Sequence, residues 1–402
     1  MWREWPASIV TDNQEQQECA QAKTTIEGSP EGFFRPYPFG LEKKGDGIGK
    51  NEVDENKPDL PSKTDFPTTR YYGSKRKQLS WLRNEFASIK GETALDAFGG
   101  TGAVSHLLQD LGWHTTYNDV FQFNTISARA LFSGATSKFS KFKLVEFLKS
   151  IQPQEGFISK TFEGIYFTRE ENMWLDGCMM SIKNQRNDIR ELILFCVFQA
   201  CLKKRPFNLF HRANLDLRQS TVPVKFGNRS TWNKSFTEHI VATYTEVEFA
   251  HQRIKNPVKV IDAGCATSID TKFDLIYIDP PYFKKAKKNT ETYLARYHFL
   301  EGLARYDEWG SLIDPTSPQK VILQPFSKEW TNKNDLMDNL RHMFNKHVGS
   351  KFVMSYVANE EPTEQELFDL FRINFDRVQL SRRSFTRALS KKQSFEILLI
   401  GQ

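Results

Sequence analysis

Short apolar runs alternate with longer amphipathic stretches through most of this chain, and each run stops at a turn-forming residue. One run ends in Leu95 before a glycine-rich turn. His114–Asp119, Val258–Ala263 and Lys351–Tyr356 read as further strands, with a closing pair near Arg377–Leu380 and Phe395–Gly401. Helical spacing covers the stretch to Leu82, the stretch to Leu111, Phe123–Phe132 and Glu364–Phe375. Strands and helices that alternate through short connections favour a parallel sheet with right-handed crossovers. From about Ser133 to Asn256 the alternation lapses. Helical stretches at Lys141–Ile151, Glu170–Asn187 and Asp188–Lys204 precede a polar, aromatic, loop-like region from Pro206 to Phe236. The expected architecture is therefore α/β and Rossmann-like. Residues 68–132 and 257–402 would build the sheet domain, and 133–256 an inserted, mainly helical second domain. Residues 1–67 mix Pro, Gly, Gln and acids with few periodic apolar positions. They read as an acidic, partly disordered extension, with local order expected only around Pro30–Gly40.

The most informative stretch is Phe273–Phe283. The apolar run Leu275–Ile278 reads as a buried strand that stops abruptly in Asp279-Pro280-Pro281-Tyr282. Two consecutive prolines can continue neither a helix nor a central strand, so a carboxylate, a proline carbonyl and an aromatic ring are fixed at the strand's carboxyl end. Open α/β sheets place their ligands there. An exocyclic amine of a nucleobase is a poor nucleophile because its lone pair is delocalised into the ring. Two acceptors aimed at its hydrogens, the Asp279 carboxylate and the Pro280 carbonyl, would draw it toward tetrahedral geometry and stabilise the charge that develops as a methyl group arrives. Tyr282 would offer a stacking face to a base taken out of its helix. The plainer reading is a strand that ends in an Asp-Pro turn.

A second turn supports the first. In Asp96-Ala-Phe98-Gly99-Gly100-Thr-Gly102 the glycines sit between a strand and a helix, where they permit close approach of a ligand to backbone N–H groups. Packing alone could also demand glycine there. Asp119, however, ends the next strand about twenty residues on, where an acid can accept from ribose hydroxyls. Together these features point to a nucleoside cofactor with a carboxylate for the helix end, as in S-adenosylmethionine. Tyr71, Gly73 and Lys75 just precede the sheet and could close over the cofactor's methionine end, or they could simply start a solvated basic helix.

Charge sharpens the choice of partner. The formal net charge is +6, but residues 1–65 hold 8 Lys/Arg against 13 Asp/Glu, a net of −5 that leaves +11 for the rest. A basic body suits a polyanion. Lys203, Lys204, Arg205, His211, Arg212, Arg218, Arg229 and Trp232 interleave cations with Phe, Asn and Thr, the residue types that contact phosphates and read base edges. Lys284, Lys285, Lys287 and Lys288 follow Tyr282 directly, and Arg382, Arg383, Arg387, Lys391 and Lys392 form another cluster. Each of these also fits an ordinary solvated loop. His298 reads as a packed, hydrogen-bonded histidine before a general base. The five cysteines (Cys19, Cys178, Cys196, Cys201, Cys265) form no CxxC pair and the eight histidines no metal-ligand spacing, so reduced thiols and no metal are expected. The longest apolar stretch, Leu192–Leu202, is too short to span a bilayer, and no signal-peptide core opens the chain, which leads to a cytoplasmic expectation.

In order, Tyr71-Tyr-Gly-Ser-Lys75, the Asp96–Gly102 turn, the 133–256 insertion and Asp279–Tyr282 resemble the Dam-like (D12) adenine-specific DNA methyltransferases, over about residues 68–402. The resemblance implies an S-adenosylmethionine-dependent methyltransferase sheet with an inserted target-recognition domain, and site-specific N6 methylation of adenine in double-stranded DNA after base flipping. It carries cofactor contacts to Tyr71, Lys75, Asp96, Phe98, Gly99, Gly100, Gly102, Asp119 and Asp279, and the flipped adenine to Asp279, Pro280, Pro281 and Tyr282. Lys203, Lys204, Arg205, Arg212, Lys284 and Lys285 are the candidate DNA contacts. The family's usual Trp and Gly-Gly pair appear here as Tyr71 and Gly73-Ser74. No membrane is implied. A monomer is expected, with a cognate restriction endonuclease as a candidate companion. The alternatives are an RNA adenine methyltransferase and a catalytically silent DNA-binding module of the same fold.

Overall fold

A computed structural model describes residues 66–71, 73–220, 229–254, 256–283, 293–323, 330–386 and 393–402. Expectations for residues 1–65, and for Lys284, Lys285, Lys287, Lys288, Arg387, Lys391 and Lys392, lie outside the described residues.

Seven strands form one sheet in the order β3-β2-β1-β4-β5-β7-β6. They are β1 (Thr93–Asp96), β2 (His114–Tyr117), β3 (Lys259–Val260), β4 (Leu275–Ile278), β5 (Lys351–Val357), β6 (Val378–Thr386) and β7 (Gln393–Gly401). β1 to β5 pair in parallel, while β7 runs antiparallel between β5 and β6. The chain lays β1, β2 and β3 outward in one direction, then returns to place β4 and β5 on the other side of β1. That reversal between β1 and β4 is the position at which a parallel sheet opens a crevice at its carboxyl edge.

The central strands β4 and β5 are mainly apolar and buried because both faces are covered, and their side chains alternate between two buried clusters. Ala94, Leu275, Tyr277, Val353, Leu398 and Ile400 meet Leu82, Phe86 and Leu107 on one face. Leu95, Ile276, Ile278, Phe352, Met354, Ile397 and Leu399 meet Leu336, Leu340 and Phe371 on the other. The helices of residues 141–251 continue a third cluster that begins at Tyr117 and Phe123 beside the sheet. Helix Asn187–Lys204 is buried almost all round and lies against helices Gln122–Phe132 and Phe236–His251. Its apolar stretch is thus core, and among the described residues no helix is long and apolar enough to cross a membrane. Cys178, Cys196 and Cys201 are free thiols in this cluster.

Some elements differ from expectation. The ladder of β3 covers only Lys259–Val260, because beyond them the chain bends across the end of β2, with Gly264 N bonded to Asp119 O at 3.0 Å. Helix Phe236–His251 occupies a stretch for which the pattern gave no element. It starts at a reciprocal cap in which Ser235 and Glu238 satisfy each other's backbone N–H groups. His298 is fully buried, with Nε2 2.9 Å from the Tyr166 hydroxyl. Burial pushes its pKa down to about 3, so it is a packed core histidine as the sequence suggested.

Candidate active site

Backbone bonds between strand ends build the glycine turn. Asn118 Nδ2 donates to Ala97 O (2.9 Å) and Gly264 O (3.2 Å), and Gly99 N donates to Asn118 O at 2.8 Å. This lashes the ends of β1, β2 and β3 together. Gly100 and Gly102 take φ of +50° and +75°, the left-handed region that glycine enters without strain. Gly99 is needed for a different reason. A Cβ there would lie 2.0 Å from Tyr117, whose fully buried ring is fixed by a 2.8 Å bond from its hydroxyl to Gly100 O. Asp119 accepts from Gly100 N at 2.9 Å and Phe121 N at 2.8 Å, so its carboxylate also holds the turn closed.

The N-terminal segment folds over this turn. Ser74 Oγ lies 3.3 Å from Thr101 Oγ1, and Tyr71 stacks on Tyr297 at 4.7 Å between ring centroids. Tyr71 stands against Gly100, where a Cβ would meet its ring at 3.6 Å. Phe98 meets Trp330 edge to face at 4.9 Å. Tyr71, Phe98 and Asp119 are therefore gathered at one turn, as the sequence led one to expect.

Asp96 closes β1 from inside. It is fully buried, Oδ2 accepts from Ser105 Oγ at 2.7 Å, and Oδ1 has no hydrogen-bond partner. Burial pushes its carboxyl up to about 7; the Ser105 bond opposes this, while the charges of Asp279 and Asp119 add to it. An unpartnered buried carboxylate oxygen among three acids fits a cationic, hydroxyl-bearing ligand. The raised value also sets a pH dependence. The unfolded chain releases this proton near 3.8 and the folded chain near 7, so the folded state binds more protons between them. Stability from this group is therefore greatest at low pH and falls as pH rises toward about 7. Asp96→Asn removes the penalty, and its gain in melting temperature over the parent is expected to be larger at pH 8 than at pH 5.

Asp279 follows β4, whose Tyr277 pairs with Asp96. It is therefore carried just past the strand's carboxyl end, beside the glycine turn. Residues 279–282 make no ladder with a neighbouring strand, and Phe283 then bridges to Glu361. The Asp279 side chain is 17% exposed. Its Oδ1 accepts from Lys75 Nζ at 2.9 Å, the Tyr282 hydroxyl at 2.6 Å and Ser355 Oγ at 3.3 Å. Its Oδ2 accepts from none of the described residues. The Tyr282 ring stands edge-on to Tyr356, at 5.0 Å.

Lys75 is buried beside Asp279. Its ammonium is 5% exposed and divides its three N–H donors among Asp279, Glu396 Oε1 at 2.5 Å and the Tyr282 hydroxyl at 2.5 Å. Burial alone would lower its pKa, but the two carboxylates more than offset that and hold it above the ordinary lysine value. All three donors are thus engaged within the chain, one of them on the Asp279 carboxylate. Glu396 and Ser355 were not anticipated. The available signal for Glu396 was a single acid inside the apolar strand Phe395–Gly401.

A family model for the D12 class N6 adenine-specific DNA methyltransferases matches residues 71–313. The chain belongs to this class. It is 23% identical over 328 residues to the Type II methyltransferase M2.HphI of Haemophilus parahaemolyticus, which covers 78% of this chain and 90% of that protein. It is likewise 23% identical over 338 residues to the Type II methyltransferase M.NlaIII of Neisseria lactamica, covering 78% and 92%. As a D12 enzyme it moves a methyl group from a methyl donor to N6 of adenine in DNA.

The cations expected to face DNA in a D12 enzyme differ in exposure. Two of them do not face it. Arg205 is fully buried, donates to the carbonyls of Leu209, Arg212 and Ala213, and lies 4.6 Å over the Tyr166 ring. Lys204 is 3% exposed and bonds Glu171 at 2.8 Å and the carbonyls of Trp232 and Lys234. A buried cation is stable only when its donors are satisfied internally, and both residues meet that condition through the carbonyls of Leu209, Arg212, Ala213, Trp232 and Lys234. Arg218 joins them through a paired contact to Glu171 at 2.7 and 2.9 Å, and Trp232 is buried. Lys203 is mostly covered and donates to Thr243 at 2.8 Å. Arg212 is exposed, and Arg382 is exposed but paired with Glu364.

Proposed function

We propose that this chain transfers a methyl group from S-adenosylmethionine to N6 of an adenine within a specific short sequence of duplex DNA, after that base is rotated out of the helix. The observation that carries this reading is the Asp279 carboxylate, held by Oδ1 and with Oδ2 unengaged among the described residues, beside the glycine turn at the sheet's switch point. Asp279 Oδ2 and the Pro280 carbonyl accept the two amine hydrogens, which localises the nitrogen lone pair and stabilises the positive charge that grows on it. Tyr282 gives the extruded ring a stacking surface, and its hydroxyl helps orient Asp279. S-adenosylmethionine, when bound, supplies an electrophilic methyl group on a sulfonium. Asp96, Phe98, Gly99, Gly100, Gly102, Asp119 and Tyr71 would hold it. No cysteine nucleophile takes part, since the amine attacks directly and the methylated amine is acidic enough to lose its proton to water.

In this reading residues 68–132 and 257–402 are the catalytic part and 133–256 recognise the target, with Arg212 as the exposed candidate contact in that stretch. The chain acts as a monomer in the cytoplasm. Tyr282→Ala is expected to lose stacking worth roughly 1–3 kcal/mol, seen as weaker engagement of the target base, whereas Tyr282→Phe keeps the stack and loses only the hydroxyl's bonds to Asp279 and Lys75. Incubation with methyl-labelled S-adenosylmethionine and either duplex DNA or RNA tests the whole reading. Label is expected in DNA as N6-methyladenine; label in RNA alone, or none, would reject it.

A further inference from the structure

Glu396 is an acid inside an otherwise apolar strand. It lies on the same face of β7 as the buried Leu398 and Ile400 and is 3% exposed. Its Oε1 is 2.5 Å from the Lys75 ammonium, which also touches Asp279 Oδ1 and the Tyr282 hydroxyl. The three charged groups sum to one negative charge. Without Glu396, Lys75 and Asp279 would form a neutral pair, and the carboxylate facing the crevice would be a weaker acceptor. A centre on which positive charge develops is stabilised by a net negative neighbour, and far less by a compensated pair, most of all where water is excluded.

We propose that Glu396 is a positioning residue for methyl transfer. It anchors the ammonium that fixes Asp279 by Oδ1, and it neutralises that ammonium so that Oδ2 presents an uncompensated negative charge to the amine. The inference rests on the reading of Asp279 as acceptor for the target amine. An ion pair that served stability alone would make the same contacts, but its rate effects would not follow the sum of charges.

Substitution of the pair separates the two cases. Glu396→Gln brings the cluster to zero, Glu396→Asp keeps it at one negative charge, and the double variant Lys75→Met with Glu396→Gln returns to one negative charge without any ammonium. Methyl transfer to duplex DNA is measured for each variant, with kcat and KM for DNA resolved and a melting curve recorded. Glu396→Gln is expected to lower kcat by about tenfold or more with KM for DNA unchanged. Glu396→Asp is expected to retain most of the rate, and the double variant to be faster than Glu396→Gln despite losing a buried ion pair. A wild-type kcat in Glu396→Gln, or a double variant no faster than it, overturns the proposal. Should Glu396→Gln melt too low to assay, the comparison of Glu396→Asp with the double variant decides, since both carry the same charge and both must then turn over. Absence of transfer by the unmodified protein would instead remove the reading of Asp279 beneath it.

Discussion

Asp279→Ala is expected to abolish methyl transfer, by a factor of about a thousand or more, while affinity for duplex DNA stays near that of the parent. Loss of one preorganised group that stabilises developing charge costs about 10²–10³ in rate. Here the same carboxylate also localises the amine's lone pair, so the loss should sit at or above the top of that range. Binding should survive because the Asp279 side chain is only 17% exposed and, in the proposed reading, meets the base only after it has left the helix. The fold should survive as well. Lys75 keeps Glu396 as its counter-ion, and Ser355 keeps its contact with Tyr277 at 2.9 Å. Single-turnover transfer and a DNA titration on the same preparation check both halves. A rate within tenfold of the parent would remove Asp279 from the chemistry.

The second large effect is expected at Gly99. An alanine Cβ would stand 2.0 Å from Tyr117 Cε2 and 2.3 Å from Cδ2, distances no real contact shows. Tyr117 cannot yield easily, since its ring is wholly buried and its hydroxyl is bound to the same turn. The turn must move instead, and with it Gly100 N, Asp119 and the mutual lashing of three strand ends. Overpacking of this kind typically costs about 1–3 kcal/mol. Gly99→Ala is expected to melt lower by that amount and to lose most of its affinity for S-adenosylmethionine, measured by calorimetry. Normal affinity in the variant would show that the turn's geometry is not what the cofactor requires.

The two turns were legible in the sequence because local chemistry fixes them. Pro280 and Pro281 permit no ladder, and Gly100 and Gly102 occupy backbone angles that other residues enter only under strain. The alternation of strand and helix likewise gave the α/β class. Pairing partners were not legible, because an apolar strand such as Phe395–Gly401 carries no mark of its neighbours. Its insertion between β5 and β6 brings Glu396 to Lys75 across 321 positions of sequence. That distance also hid the Lys75–Glu396 ion pair, of which the motif around Lys75 gives no sign. Arg205 and Lys204 misled for a related reason. A cation in a polar stretch reads as surface, and only the tertiary fold supplies the carbonyls that satisfy it inside. Helix Phe236–His251 was within reach, since Ser235 followed three residues later by Glu238 is a start signal.

Asp279 Oδ2 and the Pro280 carbonyl are the two acceptors proposed for the target amine. A crystal structure of the protein with a duplex containing its target adenine and a non-reactive cofactor analogue measures this directly. Both oxygens should lie about 2.7–3.2 Å from adenine N6, with Oδ1 still held by Lys75 and Tyr282. An extruded adenine whose N6 faces other groups, or a target base left stacked in the duplex, would contradict it.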